Sequence, residues 1–189
     1  ELLKLCLDYL KAEIFENKDT QQRSEEYIVA EDGLTVAIGT PTDSKTMNFC
    51  LGYDGHVHSF IIGQTGTGKS VLLHDIIIEA IHKYSPEDLQ LYFLDCKLGG
   101  VEFNQYKDVK HARALLVDNS DILVILEILR DLAEQMYDRG KALRDAGLQK
   151  IDDYNQVHPN ARMSRIWILI DECHVLFEQH SMNERKARS

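Results

Sequence analysis

The chain has 189 residues, 44% of them hydrophobic, and a formal net charge of −10. This length suits one domain with an apolar core, and the charge argues against a surface that coats nucleic acid by general attraction. The N-terminus, ELLKLCLDYL, has no Met, no basic region and no signal cleavage site. Because no apolar run approaches the ~18 residues of a membrane span, we expect a soluble fragment of a longer protein.

The cysteines are widely scattered along the chain. Zinc ligands usually occur in close pairs, and disulfide frameworks are typical of smaller secreted chains. We therefore predict reduced, mostly buried thiols of an intracellular protein. The four positions are Cys6, Cys50, Cys96 and Cys173.

The predicted elements begin with an amphipathic helix over residues 2–15, where apolar side chains recur at i, i+3 and i+4. A polar segment follows, so we divide the chain into an N-terminal helix and linker, 1–26, and a core, 27–189. Short strands separated by turn residues are predicted to open the core. They cover residues 27–30, 34–38 and 46–51.

The middle of the chain alternates apolar strands with helical patterns. HSFIIG, 58–63, is a strand candidate, and KSVLLHDIIIEAIHKY, 69–84, is typical of a helix. Ser85-Pro86-Glu87-Asp88 has the signature of a helix start, with Pro at the first helical position. LQLYFLD, 89–95, is a fully apolar strand that ends in an acid.

The clearest helix is predicted over residues 121–146, with Gly147 as the residue that ends it. RIWILIDE, 165–172, is a second buried type of strand that ends in acids. Apolar strands that alternate with helices predict a parallel sheet covered on both faces. The predicted fold class is therefore α/β. The helix presents one apolar face made of Ile122, Ile125, Leu129, Leu132, Met136 and Leu143.

The sequence GQTGTGKS, residues 63–70, fits the pattern G-x-x-x-x-G-K-[ST] between a predicted strand and a helix. Its glycines let backbone N–H groups surround phosphate oxygens, and the helix directs its positive end to the same point. Lys69 is placed to reach the β- and γ-phosphates, and Ser70 offers a hydroxyl to Mg²⁺. The alternative is a chance glycine-rich turn. The predicted nucleotide-binding residues are Gly63, Gln64, Thr65, Gly66, Thr67, Gly68, Lys69, Ser70 and Val71.

A second motif, IWILIDE, ends at Asp171 and Glu172. An acid at the carboxyl end of a parallel strand faces the crevice where ligands bind. Asp171 can hold Mg²⁺ in the Walker B role, and Glu172 can act as general base toward the attacking water. An acidic pair after a strand also serves as a helix cap, but its place after a phosphate loop favours catalysis. Since no guanine-reading Asn-Lys-x-Asp occurs, we predict an ATPase with Lys69 and Glu172 as catalytic residues.

Longer stretches around both motifs carry a family resemblance. HSFIIGQTGTGKSVLLHDIIIEAI, then YSPEDLQLYFLDCKLGGVEFNQY with Asp95 and Lys97, then EQMYDRGKALRDAGLQKIDDYNQ and ILIDECHVLF resemble the motor domain of the FtsK/SpoIIIE family of bacterial DNA translocases. The similarity covers residues from about 50 to 178. Matches in the third stretch are Glu134, Met136, Arg139, Gly147, Ile151, Tyr154 and Asn155.

Two features depart from the family pattern. Cys173-His174 replaces the usual Phe-Ala, and the segment between the Tyr-Asn pair and the second motif is short. Both features are similar to type VII secretion ATPases and conjugative coupling proteins. Cys173 and His174 suggest metal or nucleophilic chemistry, but adjacent residues at a strand-to-helix turn usually point apart, so we predict that they pack.

The resemblance implies a RecA-like P-loop NTPase with a mostly parallel sheet flanked by helices, here cut short after the Walker B strand. It implies ATP and Mg²⁺ as cofactors, and a homo-oligomeric, hexameric ring that drives double-stranded DNA. The expected location is the bacterial cytoplasm, as a free protein or as the soluble part of a membrane-anchored one. The alternatives are a type VII secretion-type ATPase that moves protein substrates, and a nucleotide-binding assembly module with little turnover.

The family's next strand normally lies between the Walker A and Walker B strands, so we expect a gap in the sheet. The resemblance also places the γ-phosphate sensor and the arginine finger outside this chain.

Overall fold

A computed structural model describes residues 27–28, 30, 33–39, 46–52, 55–97, 101–116 and 122–175. The helix predicted over residues 2–15 lies outside them, and the domain boundary at residue 26 stays a prediction. The chain divides into two compact units, Glu1–Ser85 and Pro86–Ser189. The strands are β1 (Leu34–Gly39), β2 (Met47–Leu51), β3 (Leu89–Asp95), β4 (Ala112–Leu116) and β5 (Arg165–Asp171). The helices are α1 (Lys69–Lys83), α2 (Ile122–Asp145) and α3 (Ile151–Val157), with 3₁₀ turns at Asn104–Tyr106 and Pro159–Ala161.

The first unit contains an antiparallel hairpin. β1 and β2 pair from Leu34 opposite Leu51 onward, with an irregularity between Ala37 and Gly39. The strands predicted at 34–38 and 46–51 are therefore confirmed. The strand predicted over 27–30 is wrong where it can be checked, because Tyr27, Ile28 and Ala30 lie outside any strand.

Helix α1 packs its apolar side on β1 and confirms the predicted helix after the glycines. Its last turn is tied to the hairpin at Thr35, whose carbonyl accepts hydrogen bonds from Lys83 Nζ (2.5 Å) and from the Tyr84 hydroxyl (3.0 Å). The Thr35 N–H donates back to the Tyr84 hydroxyl (2.8 Å). These bonds fix the direction of the helix and therefore the place of its N-terminus. The buried residues of α1 are His74, Ile76, Ile77, Ile78, Ala80 and Ile81.

The segment before the glycine loop differs from the prediction. Residues 57–63 form no strand, and Phe60 and Ile62 are 72% and 80% exposed. A strand forms only where a neighbour takes up its N–H and C=O groups. Among the described residues, the strands pair as β1-β2 and as β4-β3-β5, so this segment has no ladder partner there. The strand predicted over 58–63 is therefore wrong.

The second unit is built on a three-stranded parallel sheet with the order β4-β3-β5. β3 and β5 pair in continuous register from Leu89 opposite Arg165 to Asp95 opposite Asp171. Both strands were predicted from their apolar runs, and both are confirmed. Because β3 is central and its side chains are buried on both faces, its sequence is nearly continuous in apolar residues.

Neighbouring residues of β3 supply the cores on the two faces of this sheet, since alternate side chains point to opposite faces. On one face the Phe93 ring lies 5.2 Å from the Phe103 ring and stacks on Tyr106 at 5.1 Å. On the other face Leu94 and Cys96 pack with Ile125 of α2. The predicted arrangement of a parallel sheet flanked by helical structure is confirmed.

Helix α2 confirms the longest predicted helix, and it ends as Gly147 indicated. Gly147 has φ 69°, its N–H donates to Arg144 O (3.0 Å), and the Leu148 N–H donates to Leu143 O (2.9 Å). This pair of bonds is a Schellman motif. The helix start predicted at residues 85–88 is wrong: residues 86–88 form a turn, because β3 begins directly after them.

Polar contacts hold the segment that leads into β5. Arg139 Nη1 donates to Ser164 O (2.6 Å), and burial lowers the pKa of this guanidinium. The Asn155 amide pairs with the backbone of Met163 through bonds of 3.0 and 2.7 Å. These contacts fix the start of the strand that carries the acidic motif. No helix in the described part of the chain is long and apolar enough to cross a membrane.

Candidate functional site

The loop from Gly63 to Ser70 takes a backbone shape that requires its glycines. Gly66 and Gly68 have φ of 82° and 92°, in the left-handed region where a side chain is strained. A Cβ atom on Gly63 would lie 2.7 Å from Thr67 Oγ1, which is closer than real Cβ contacts. The glycines therefore serve the shape of the loop and not only its flexibility.

The carbonyl of Gln64 is the centre of this loop. It accepts hydrogen bonds from the Thr67 N–H (3.2 Å), from Thr67 Oγ1 (2.7 Å) and from Lys69 Nζ (3.1 Å). The Lys69 ammonium is thus held over the loop. A positive charge that is already in place at the loop loses little freedom when an anion binds.

The N-terminus of α1 is open at the end of the loop. The first helical bond runs from the Leu72 N–H to Gly68 O (3.0 Å). No side chain caps this N-terminus, and its first turn, which includes Ser70 and Val71, contains no acid. Uncapped N–H groups and the positive end of the helix dipole attract an anion. The loop, exposed from Gln64 to Gly68, therefore fits a phosphate group.

In the second unit, Asp95 ends β3 directly opposite Asp171 of β5. Asp95 is fully buried, and its carboxylate accepts the N–H groups of Lys97 (3.0 Å) and Glu102 (3.2 Å). Asp95 therefore shapes the turn after β3. The sequence prediction missed this role, although an acid two residues before a loop N–H is the pattern of an Asx turn.

Asp171 is half-buried, and burial raises the pKa of its carboxyl. The negative charges of Asp95, Glu172 and Glu102 raise this pKa further, while a hydrogen bond from the Glu172 backbone lowers it. A carboxylate surrounded by other acids gains more than an isolated one from a nearby cation. This environment suits a residue that binds Mg²⁺.

The donor set also agrees with magnesium. No group of three or more His, Cys, Asp or Glu side chains within the described ranges has a metal-binding arrangement. Magnesium usually takes one or two protein ligands and completes its shell with water and substrate phosphates. Ser70 and Asp171 would fit that role. They lie in different compact units, so their convergence with Lys69 and Glu172 stays a prediction.

Glu172 follows β5 and has φ 52°, which is unusual for a residue with a side chain. Its Oε2 lies 3.1 Å from Nδ1 of His174. Cys173 is half-buried, whereas His174 is exposed. The prediction that both residues pack is therefore wrong for His174, and sequence reasoning missed its contact with the carboxylate.

The cysteines differ more in environment than predicted. The three that are described are free thiols: Cys50 is exposed and Cys96 is buried, while Cys173 is intermediate. Burial raises the pKa of the Cys96 thiol to about 11, with smaller contributions from nearby acids and Cys173. The predicted free thiols are confirmed for these three, but the predicted burial is wrong for Cys50. Cys6 lies outside the described residues.

We expect iodoacetamide at neutral pH to modify Cys50 and to leave Cys96 unmodified in the folded chain. The thiolate is the reactive form, and Cys96 is both buried and protonated. Timed alkylation followed by peptide mass spectrometry measures the two rates, and denatured protein is the control in which both should react. Equal rates in the native chain would contradict the described environment of Cys96.

Comparison with known proteins agrees with both motifs. The FtsK/SpoIIIE family matches residues 13–189. Two relatives are named DNA translocase FtsK. The protein of Caldanaerobacter subterraneus subsp. tengcongensis is 31% identical over 61% of this chain, and that of Campylobacter jejuni is 26% identical over 87% of it. The chain spans 16% of the length of each.

Secretion and conjugation proteins are also similar. The ESX-4 secretion system protein EccC4 of Mycobacterium tuberculosis is 30% identical over 79% of this chain and 13% of its own length. The cytoplasmic domain of the Thermomonospora curvata type VII secretion ATPase EccC superposes with TM-score 0.70 at 22% identity, covering 92% of this chain and 22% of that one.

The pCW3 conjugation coupling protein TcpA, solved with ATPγS, superposes with TM-score 0.57 at 25% identity. That superposition covers 79% of this chain and 38% of that one. The predicted RecA-like P-loop fold is confirmed by these likenesses. Because the family match covers nearly the whole sequence, the chain belongs to the FtsK/SpoIIIE family.

Proposed function

We propose that this chain binds ATP with Mg²⁺ and hydrolyses it as part of a ring motor that moves double-stranded DNA. The observation that carries the proposal is the loop from Gly63 to Ser70. It has a glycine-dependent shape, an ammonium held above it and an uncapped helix start at its end. Few purposes other than binding phosphate explain these features together.

The residues of the loop bind and orient the nucleotide in this proposal. Backbone N–H groups from Gly66 to Ser70 hold the phosphates, and the Lys69 ammonium moves from the Gln64 carbonyl to the β- and γ-phosphate oxygens. Ser70 and Asp171 would hold Mg²⁺, which neutralises phosphate charge when bound.

Glu172 is the proposed general base. Its carboxylate takes the proton of the attacking water as that water's oxygen bonds to the γ-phosphorus and the bond to the ADP oxygen breaks. Because the Glu172 side chain is 42% exposed, water has access to it. The carboxyl later returns the proton to solvent, and ADP and inorganic phosphate leave.

Duplex DNA is the proposed cargo because the translocases among the relatives carry that name and align over much of this chain. The alternative, a protein cargo, is supported by the similarity to EccC4 and to the EccC ATPase. The proposed location is the cytoplasmic side, within a homo-oligomeric ring. A triplex-displacement assay with full-length protein and ATP tests the cargo directly. DNA that neither stimulates ATP hydrolysis nor is moved would favour the protein alternative.

We expect Lys69→Ala to weaken ATP binding roughly 10- to 100-fold, the range for losing a charged hydrogen-bond donor, and to remove measurable turnover. Titration with a fluorescent ATP analogue measures the affinity in the full-length protein. Lys110→Ala is the matched control, because Lys110 is an exposed lysine remote in sequence from the loop. Equal affinities of the two variants would contradict the assignment of the loop.

A further inference from the structure

The contact between Glu172 and His174 is not explained by either sequence motif. His174 Nδ1 lies 3.1 Å from Glu172 Oε2, within hydrogen-bond distance. The two side chains are 61% and 42% exposed, so neither is held by burial. The imidazole is therefore placed against the carboxylate by the backbone of the turn that follows β5.

This turn is fixed at its other residues. The Glu172 carbonyl accepts the N–H of Val175 (3.1 Å), and Val175 packs against the core of Leu94, Cys96 and Ile125. Cys173 is half-buried, and it lies close enough to Cys96 to affect that thiol. Residues 173 and 175 thus face the protein, while the positive φ of Glu172 turns the two intervening polar side chains toward solvent together.

We propose that His174 is a positioning residue for the carboxylate of Glu172. A neutral imidazole with its proton on Nδ1 donates a hydrogen bond to Oε2 and holds the carboxylate in one rotamer. Oε1 is then left to accept the proton of the attacking water. This inference rests on the proposed function, in which Glu172 is the general base.

The expected effect is on turnover. An exposed hydrogen-bonded pair adds little to stability. A glutamate at a surface samples several rotamers, however, and only the one aimed at the water is productive, so restricting it raises the productive fraction. General-base catalysis contributes roughly 10²–10⁴-fold, and a positioning residue supplies a part of that factor.

The test measures steady-state ATP hydrolysis by the full-length protein in the presence of duplex DNA. His174→Leu, which removes the donor, should lower kcat about tenfold and leave KM for ATP unchanged, consistent with a part of the general-base factor. His174→Asn places an amide N–H near the position of Nδ1, so it should stay within about threefold of wild type. In a Glu172→Gln background, His174→Leu should cause no further loss, because the group that it positions is already gone.

Each outcome decides the inference. Equal losses in His174→Leu and His174→Asn, a raised KM at unchanged kcat, or a further tenfold loss in the Glu172→Gln background would overturn it. Full activity of His174→Leu beside an inactive Glu172→Gln would overturn this inference alone. Wild-type turnover by Glu172→Gln would overturn the proposed function and this inference with it. Thermal unfolding of each variant checks that the chain remains folded.

Discussion

Replacing Glu172 by Gln is expected to lower kcat for ATP hydrolysis roughly 10²- to 10⁴-fold, the usual contribution of a general base. The amide has nearly the same shape but cannot accept the proton of the attacking water. ATP binding should persist, because in the proposed site the phosphates are held by the loop at Gly63–Ser70. Single-turnover hydrolysis and equilibrium binding, measured separately in the full-length protein, distinguish the two effects.

The control for this prediction is Glu87→Gln, which makes the same chemical change at an exposed residue in the turn before β3. It should keep wild-type kcat and KM. A Glu172→Gln variant that loses ATP affinity as strongly as Lys69→Ala would contradict the separate roles of the two residues.

Replacing Phe93 by Ala is expected to cost about 3–5 kcal/mol of the free energy of unfolding, the range for truncating a buried phenylalanine. Phe93 is fully buried in the central strand, where its ring packs on Phe103 and Tyr106. Denaturant unfolding of the 189-residue chain can be followed by the fluorescence of Trp167, its only tryptophan. Trp167 lies on the neighbouring strand β5 and is 8% exposed, so it reports on the same unit.

Phe60→Ala is the matched variant, because Phe60 is 72% exposed in the segment before the loop. Truncating a side chain that packs against little should change stability by no more than about 0.5 kcal/mol. Similar costs for the two variants would show that the described burial of Phe93 is wrong, or that the residues around Phe60 are packed.

Elements with a strong local pattern could be predicted from the sequence. β3 and β5 each appear as an unbroken apolar run, because strands inside a parallel sheet are covered on both faces. Helix α2 was recognised from its 3.6-residue period and from Gly147, whose left-handed conformation ends it. The glycine loop was recognisable because few side chains tolerate its dihedral angles.

Features that depend on partners distant in sequence could not be predicted. β4 is short and its residues, ARALL, have no marked strand propensity, so it is a strand only because β3 lies beside it. The segment 58–63 has an apolar strand pattern, but pairing depends on a neighbour, which local pattern does not reveal. The contact between Glu172 and His174 depends on one positive φ angle that no propensity indicates.

The register of β3 with β5 has a consequence for the order in which the second unit assembles. Pairing β3 with β4 closes a short stretch of chain, whereas pairing Leu89 with Arg165 closes one of about 75 residues. Closing the longer loop costs more chain entropy, and on a ribosome β5 is also made last. We expect the half made of β3 and β4 to form first and β5 to dock afterwards. The strand that presents Asp171 and Glu172 would then be the latest part of the sheet to gain protection from hydrogen exchange during refolding.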